Sequence, residues 1–180
     1  MTKPIFIIGF PGSGKTTICN ALKDKIGSRY EFVDLDDYIT ERIGMTIRKF
    51  FAKNGEQAFR TLESESINEL ACKNNIIIAC GGGTPCFGNN METMNNAGKT
   101  IRLVVSEERL FSRLLSGRDR RPLIATMNPD ELKHYISHTL AERSKYYSKA
   151  LFSFSAENLE DEMQIEATIT DFIKTFGLLS

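Results

Sequence analysis

The segment Gly9-Phe10-Pro11-Gly12-Ser13-Gly14-Lys15-Thr16 follows the pattern G-x-x-x-x-G-K-[ST], which suits a loop that wraps a polyphosphate. Its glycines let the backbone fold inward and aim N–H groups at anionic oxygens, and a helix starting there adds the positive end of its dipole. Lys15 is expected to reach the β- and γ-phosphates of a nucleoside triphosphate, and the Thr16 hydroxyl to ligand Mg²⁺. An ordinary glycine-rich turn is the bland alternative. It requires neither the whole pattern nor the context found here, an apolar run before the loop and an amphipathic one after it. The loop establishes nucleotide handling but no reaction, since motor ATPases, GTPase switches and small-molecule kinases all use it.

Two absences narrow the choice. There is no N-K-x-D segment to read guanine, and the apolar run Ile76–Cys80 enters glycine without the acidic residue of a Walker B strand. The acidic partner of a metal must then come from Asp34, Asp36 or Asp37. Asp34 and Asp36, two apart, point the same way in an extended chain, so one could serve a metal's water shell and the other a hydroxyl proton. Capping of the next helix is the plainer alternative, and Asp37 suits it.

Further along stand Arg60 and Glu63 in the run Gly55–Glu63, the triplet Gly81-Gly82-Gly83, and Arg113, Arg118, Arg120 and Arg121 before Pro122-Leu123. Arg60 could be a surface residue paired with Glu63 three positions on. The glycine triplet could be a flexible turn, though its place after a buried strand favours close approach of a ligand. The arginine run could be a solvated face, but a closing lid bearing arginine would both expel water and stabilise charge in phosphoryl transfer. On a helix over 129–150, Arg143 falls within the stripe of Leu132, Ile136, Leu140 and Tyr147, where a cation needs an anionic partner. His134 and His138 share a metal-binding spacing but lie on the opposite face, and are expected to meet solvent.

The elements that must position these groups are legible from periodicity. Ile5–Ile8, Glu31–Leu35, Ile76–Cys80, Ile101–Val105 and Leu151–Ser155 read as five short strands separated by helical patterns, which predicts a three-layer α/β/α domain around a parallel sheet. Ile18, Ala21, Leu22 and Ile26, and Ile165, Ile169, Phe172, Ile173 and Phe176, form helical faces expected to cover that sheet. In such open sheets ligands bind outside the carboxyl ends of the strands, where the P-loop and the aspartates lie. The polar, arginine-rich break at about 116–129 is the expected mobile lid.

Taken in order, the P-loop, the Asp34-x-Asp36 pair, Phe59-Arg60-x-x-Glu63, the glycine triplet and Arg121-Pro122-Leu123 resemble shikimate kinases, and Arg143 followed by Tyr146-Tyr147 extends the likeness. The resemblance implies a five-stranded P-loop, nucleoside monophosphate kinase-like fold. It implies transfer of the γ-phosphoryl group of ATP to the 3-hydroxyl of shikimate, on the route to chorismate and the aromatic amino acids. The implied catalytic residues are Asp36, Lys15 and Arg121. ATP would be held by Gly12, Ser13, Gly14, Lys15, Thr16, Thr17, Arg113 and Arg121, with Arg113 stacking on adenine. Arg60 and Arg143 would clamp the acceptor's carboxylate, Glu63 would orient Arg60, and Asp36, Gly81, Gly82 and Gly83 would complete the acceptor site, whose region spans about 36–63. Mg²⁺ would be bound by Thr16 and, through water, Asp34. The chain departs from the family's pattern at Ala79, where Ser or Thr is common, and in an Arg113–Arg121 separation one residue longer, which leaves Leu114 and Arg118 as alternatives to Arg113 for the adenine-stacking place. Another small-metabolite kinase of the same fold, acting on gluconate or a nucleoside monophosphate, and an ATP-dependent switch without an acceptor remain the alternatives.

Composition sets the outer bounds. The 180 residues suit one domain, and Lys plus Arg balance Asp plus Glu at 23 each, which argues against nucleic-acid or membrane partners. No leader or membrane span is expected. Cys19, Cys72, Cys80 and Cys86 lack CxxC spacing and read as buried small hydrophobes. A monomeric cytoplasmic protein is the expectation.

Overall fold

Ile5–Ile8 (β1) is buried at every position, as a strand covered on both faces must be, and it lies at the centre of the sheet. This computed structural model describes residues 2–118, 121 and 123–179. The other strands are Glu31–Asp34 (β2), Ile76–Ala79 (β3), Lys99–Val104 (β4) and Phe152–Ser155 (β5). They form one five-stranded sheet in the order β2-β3-β1-β4-β5, with all four pairings parallel. The helices are Lys15–Ile26 (α1), Leu35–Ile43 (α2), Ile47–Ala71 (α3), Asn90–Ala97 (α4), Glu107–Ser116 (α5), Pro129–Tyr147 (α6) and Glu162–Phe176 (α7).

Alternation along the strands divides the core in two. Ile5, Ile7, Ile77, Ile101 and Leu103 face Ile18, Leu22 and Ile26 of α1 and Ile169, Phe172 and Phe176 of α7. Phe6, Ile8, Ile76 and Ile78 face the other side, with Leu35 and Ile39 of α2, Phe59 and Ile67 of α3, Met91 and Met94 of α4, Leu110 and Leu114 of α5, and Leu132, Ile136 and Tyr147 of α6. The three-layer expectation therefore holds.

Several boundaries differ from the sequence reading. Leu35 and Cys80 follow their strands rather than ending them, and Leu35 opens α2. Asp36 is thus helical, and the extended geometry expected for the Asp34–Asp36 pair does not occur. The cap of α2 is Asp34, whose carboxylate accepts from the Asp36 N–H at 3.0 Å, and not Asp37. Helix α3 begins well before Gly55 and kinks there, where φ 79° and ψ 172° leave helical geometry. Of the cysteines, only Cys19 and Cys80 are buried; Cys86 is half-buried and Cys72 exposed. His134 and His138 are exposed as expected.

Candidate active site

The N-termini of α2, α3, α5, α6 and α7 are closed by side chains of Asp34, Thr46, Ser106, Asn128 and Asp161. Helix α1 is not. Its N-cap is Gly14 in left-handed geometry, with no side-chain cap, so its first N–H groups stay open to an anion. The Ser13 hydroxyl in the same loop is buried and, among the described residues, has no hydrogen-bond partner, which suits a phosphate oxygen. Lys15 Nζ donates to the Gly9 and Phe10 carbonyls at 2.8 and 3.0 Å. Burial brings its pKa down to about 8, against the opposing pull of Asp36 and Asp34.

A cleft of about 330 Å³ extends from this loop and is lined by Gly12, Lys15, Thr16, Thr17, Arg113 and Arg121 together with Leu159 and Glu160. Arg113 is fixed in its wall. Its Nη2 donates to the carbonyls of Ala156 and Glu157 at 3.0 and 2.9 Å, and Nε and Nη2 reach Glu160 at 3.0 and 2.9 Å. Leu114 is buried beneath Gly12, so of these two neighbours Arg113 is the one facing the cleft. Arg121 joins the lining with Nη1 on the Gly117 carbonyl at 3.0 Å. Arg120 and Pro122 lie outside the described residues. Leu159 and Glu160 carry no motif, and nothing in their spacing marks them.

On the other side of the P-loop, the glycine triplet after β3 is enclosed by the predicted acceptor residues. A Cβ on Gly81 would stand 3.4 Å from both Asp36 Oδ1 and Glu63 Oε1, on Gly82 3.1 Å from Arg143 Nη1, and on Gly83 3.1 and 3.2 Å from the Nη atoms of Arg60. Each glycine thus admits a different side chain to one site, which a merely flexible turn would not need. Arg60 Nη1 donates to Glu63 Oε2 at 2.9 Å, as expected of an orienting carboxylate. Arg60 also pairs with Glu56 at 3.3 Å, and its Cζ lies 4.0 Å from the Phe87 ring centroid. Tyr147, one turn beyond Arg143 on α6, donates its hydroxyl to the Gly82 carbonyl at 2.6 Å. Phe87 and Tyr147 had no role assigned from the sequence; Tyr147 was signalled by sharing a helix face with Arg143.

Between the two halves stands Asp36. It is exposed, with Oδ1 beside Gly81. Desolvation first, and then the neighbouring charges of Asp34 and Glu63, raise its pKa to about 6, with Lys15 opposing. A carboxylate whose affinity for a proton lies near neutrality, close to Lys15 of the phosphate loop and at one end of a glycine triplet that Arg143 and Arg60 also flank, can orient a hydroxyl and take its proton. Thr16 is exposed at the start of α1. Ala79 is in register with both Asp34 and Ile7 and brings only a methyl group to that row.

A family model described as shikimate kinase matches residues 11–174. A shikimate kinase of Phocaeicola vulgatus is 41% identical over 170 residues, covering 94% of this chain and 96% of that protein. The crystal structure of the shikimate kinase from Bacteroides thetaiotaomicron matches with a TM-score of 0.91 at 39% identity, covering 97% of this chain and 98% of that one. The structure of the Acinetobacter baumannii shikimate kinase in complex with shikimate matches with a TM-score of 0.79 at 28% identity, covering 98% and 94%.

Proposed function

The chain belongs to the shikimate kinase family, and we propose that the residues placed above carry the γ-phosphoryl group of ATP to the 3-hydroxyl of shikimate. The fold is that of P-loop, nucleoside monophosphate kinase-like enzymes. The observation that carries the division of roles is the glycine triplet, around which Asp36, Arg143 and Arg60 converge. Shikimate bears a carboxylate at one end of its ring and hydroxyls at the other. Arg60 and Arg143 take the carboxylate, each offering a planar fork of donors. Asp36 takes the 3-hydroxyl, and the Gly82 backbone approaches the ring closely.

ATP lies along the cleft, its phosphates against residues 12–17 and its adenine against Arg113. Arg121, in the cleft lining, reaches the transferred group; the lid expected over about 116–129 lies partly outside the described residues. Positioning and electrostatic stabilisation supply most of the catalysis, because a loose transition state asks little covalent work of the protein. Asp36 orients the hydroxyl and accepts its proton as the oxygen–phosphorus bond forms. An ATP-using kinase of this family works with a divalent metal, and Mg²⁺ suits the oxygen donors of Thr16 and, through water, Asp34. Among the described residues no three His, Cys, Asp or Glu side chains gather into a cluster that could hold a metal ion. When bound, the ion neutralises phosphate charge. Ala79 leaves Asp34 as the strand-end group for its water shell.

Among the described residues no helix is long and apolar enough to cross a membrane, and the chain is proposed to act as a monomer in the cytoplasm. An ADP-release assay with shikimate, gluconate and nucleoside monophosphates as acceptors tests the reading. Turnover with shikimate alone is expected; preference for another acceptor, or nucleotide binding without acceptor-stimulated turnover, overturns it.

A further inference from the structure

The Thr84 hydroxyl has no part in the roles assigned so far, yet its setting is specific. Thr84 opens a 3₁₀ turn, Thr84–Cys86, directly after the glycine triplet. It is fully buried, as is Glu63 at 1% exposure. Its Oγ1 donates to Glu63 Oε1 at 2.5 Å, while Glu63 Oε2 accepts from Arg60 Nη1 at 2.9 Å. The turn is itself anchored: the Thr84 N–H donates to the Gly81 carbonyl at 3.1 Å, and the buried Asn90 amide donates to the Thr84 carbonyl at 2.9 Å.

A buried carboxylate facing one guanidinium tends to swing both oxygens onto it in a two-pronged pair. With Oε1 held by Thr84, Glu63 meets a single N–H of Arg60; the exposed Glu56 takes Nε and one N–H of Nη2 at 3.3 Å, and the second N–H of each Nη is left for an incoming anion. Phe87, just past the turn, supports the same guanidinium from its ring face at 4.0 Å, so one short turn governs both the direction and the plane of Arg60.

We propose that Thr84 is a positioning residue for the acceptor: acting through Glu63, it sets the orientation of Arg60 and with it the affinity for the substrate's carboxylate. This rests on the reading that Arg60 binds that carboxylate. Thr84→Val deletes the hydroxyl with little change of shape, Thr84→Ser keeps it, and steady-state kinetics with each substrate varied in turn separates the two sites. Thr84→Val is expected to raise KM for shikimate by about tenfold, the scale of one buried acceptor left unpaired. KM for ATP stays unchanged, and Thr84→Ser restores the wild-type value to within about twofold. Because the effect passes through Glu63, Thr84→Val adds nothing in a Glu63→Gln background.

Equal losses in Thr84→Val and Thr84→Ser, parallel rises in both KM values, or additive effects with Glu63→Gln overturn the proposal. Should Thr84→Val fail to fold by circular dichroism, Thr84→Ala is read against Thr84→Ser in the same way. Arg60→Lys separates the two levels of inference. If it leaves KM for shikimate unchanged, the reading of Arg60 fails and this proposal with it. If it raises that KM while Thr84→Val does not, only the role of Thr84 is lost.

Discussion

Asp36 and Lys15 have their proton affinities moved toward each other, to about 6 and about 8, by desolvation of each and, for Asp36, by the charges of Asp34 and Glu63. For the free enzyme this predicts a bell-shaped kcat/KM. The acidic limb falls as Asp36 gains its proton below about pH 6, and the basic limb falls as Lys15 loses its own above about pH 8. In kcat the basic limb moves to higher pH, because bound polyphosphate holds the proton on Lys15. The same shift has a stability consequence. A carboxyl whose folded pKa is raised favours the folded state while protonated, and that contribution is lost as pH rises through about 6. Asp36→Asn is therefore expected to abolish turnover while raising the melting temperature of the unliganded protein more at about pH 8 than at about pH 5. Rate profiles and thermal unfolding across pH measure both. Undiminished turnover in Asp36→Asn removes Asp36 from the mechanism, and an unchanged melting temperature refutes the cost of its ionisation.

The elements show where sequence is informative and where it stops. The strand cores were legible because a strand buried on both faces reads as an uninterrupted apolar run, as Ile5–Ile8 and Ile76–Ala79 do. Their ends were not, because an apolar residue such as Leu35 packs equally well as the last of a strand or the first of a helix. Nor was the length of α3. The sequence reading begins the Arg60 segment only at Gly55, yet the helix starts before it and continues beyond it; a Cβ there would meet nothing within 4 Å, so the glycine serves the backbone turn alone. Helix α6 carries the testable case at this scale. It presents Arg143 and Tyr147 on one face, and Tyr147 fixes the Gly82 carbonyl from a fully packed position. Tyr147→Phe strands that carbonyl, a loss of about 1 kcal/mol that lowers the melting temperature by roughly 2–4 °C in a chain of this size. KM for shikimate rises with it while KM for ATP holds. An unchanged melting temperature with normal shikimate kinetics denies Tyr147 any part in shaping the site.

At the scale of the whole molecule, a chain of zero formal charge gathers Lys15, Arg60, Arg113, Arg121 and Arg143 around the carboxyl edge of one sheet. Motif and family resemblance named these cations, but not what holds them: Arg113 is fixed by Glu160 and the 156–157 carbonyls, and Arg60 by Glu63 and Phe87. Pairings between distant segments leave no spacing to read. Collecting like charges is costly without anions, so each substrate should stabilise the fold in its own half of the cleft. ADP at about a hundred times its Kd adds about 2.7 kcal/mol, raising the melting temperature by roughly 5–10 °C. Shikimate is expected to do the same, on the proposal that Arg60 and Arg143 bind its carboxylate. Lys15→Ala is expected to suppress the ADP shift and spare that of shikimate, and Arg143→Ala the reverse. If either substitution erases both shifts, the two halves are one coupled site, and the separate roles drawn for the P-loop and the guanidinium clamp no longer stand.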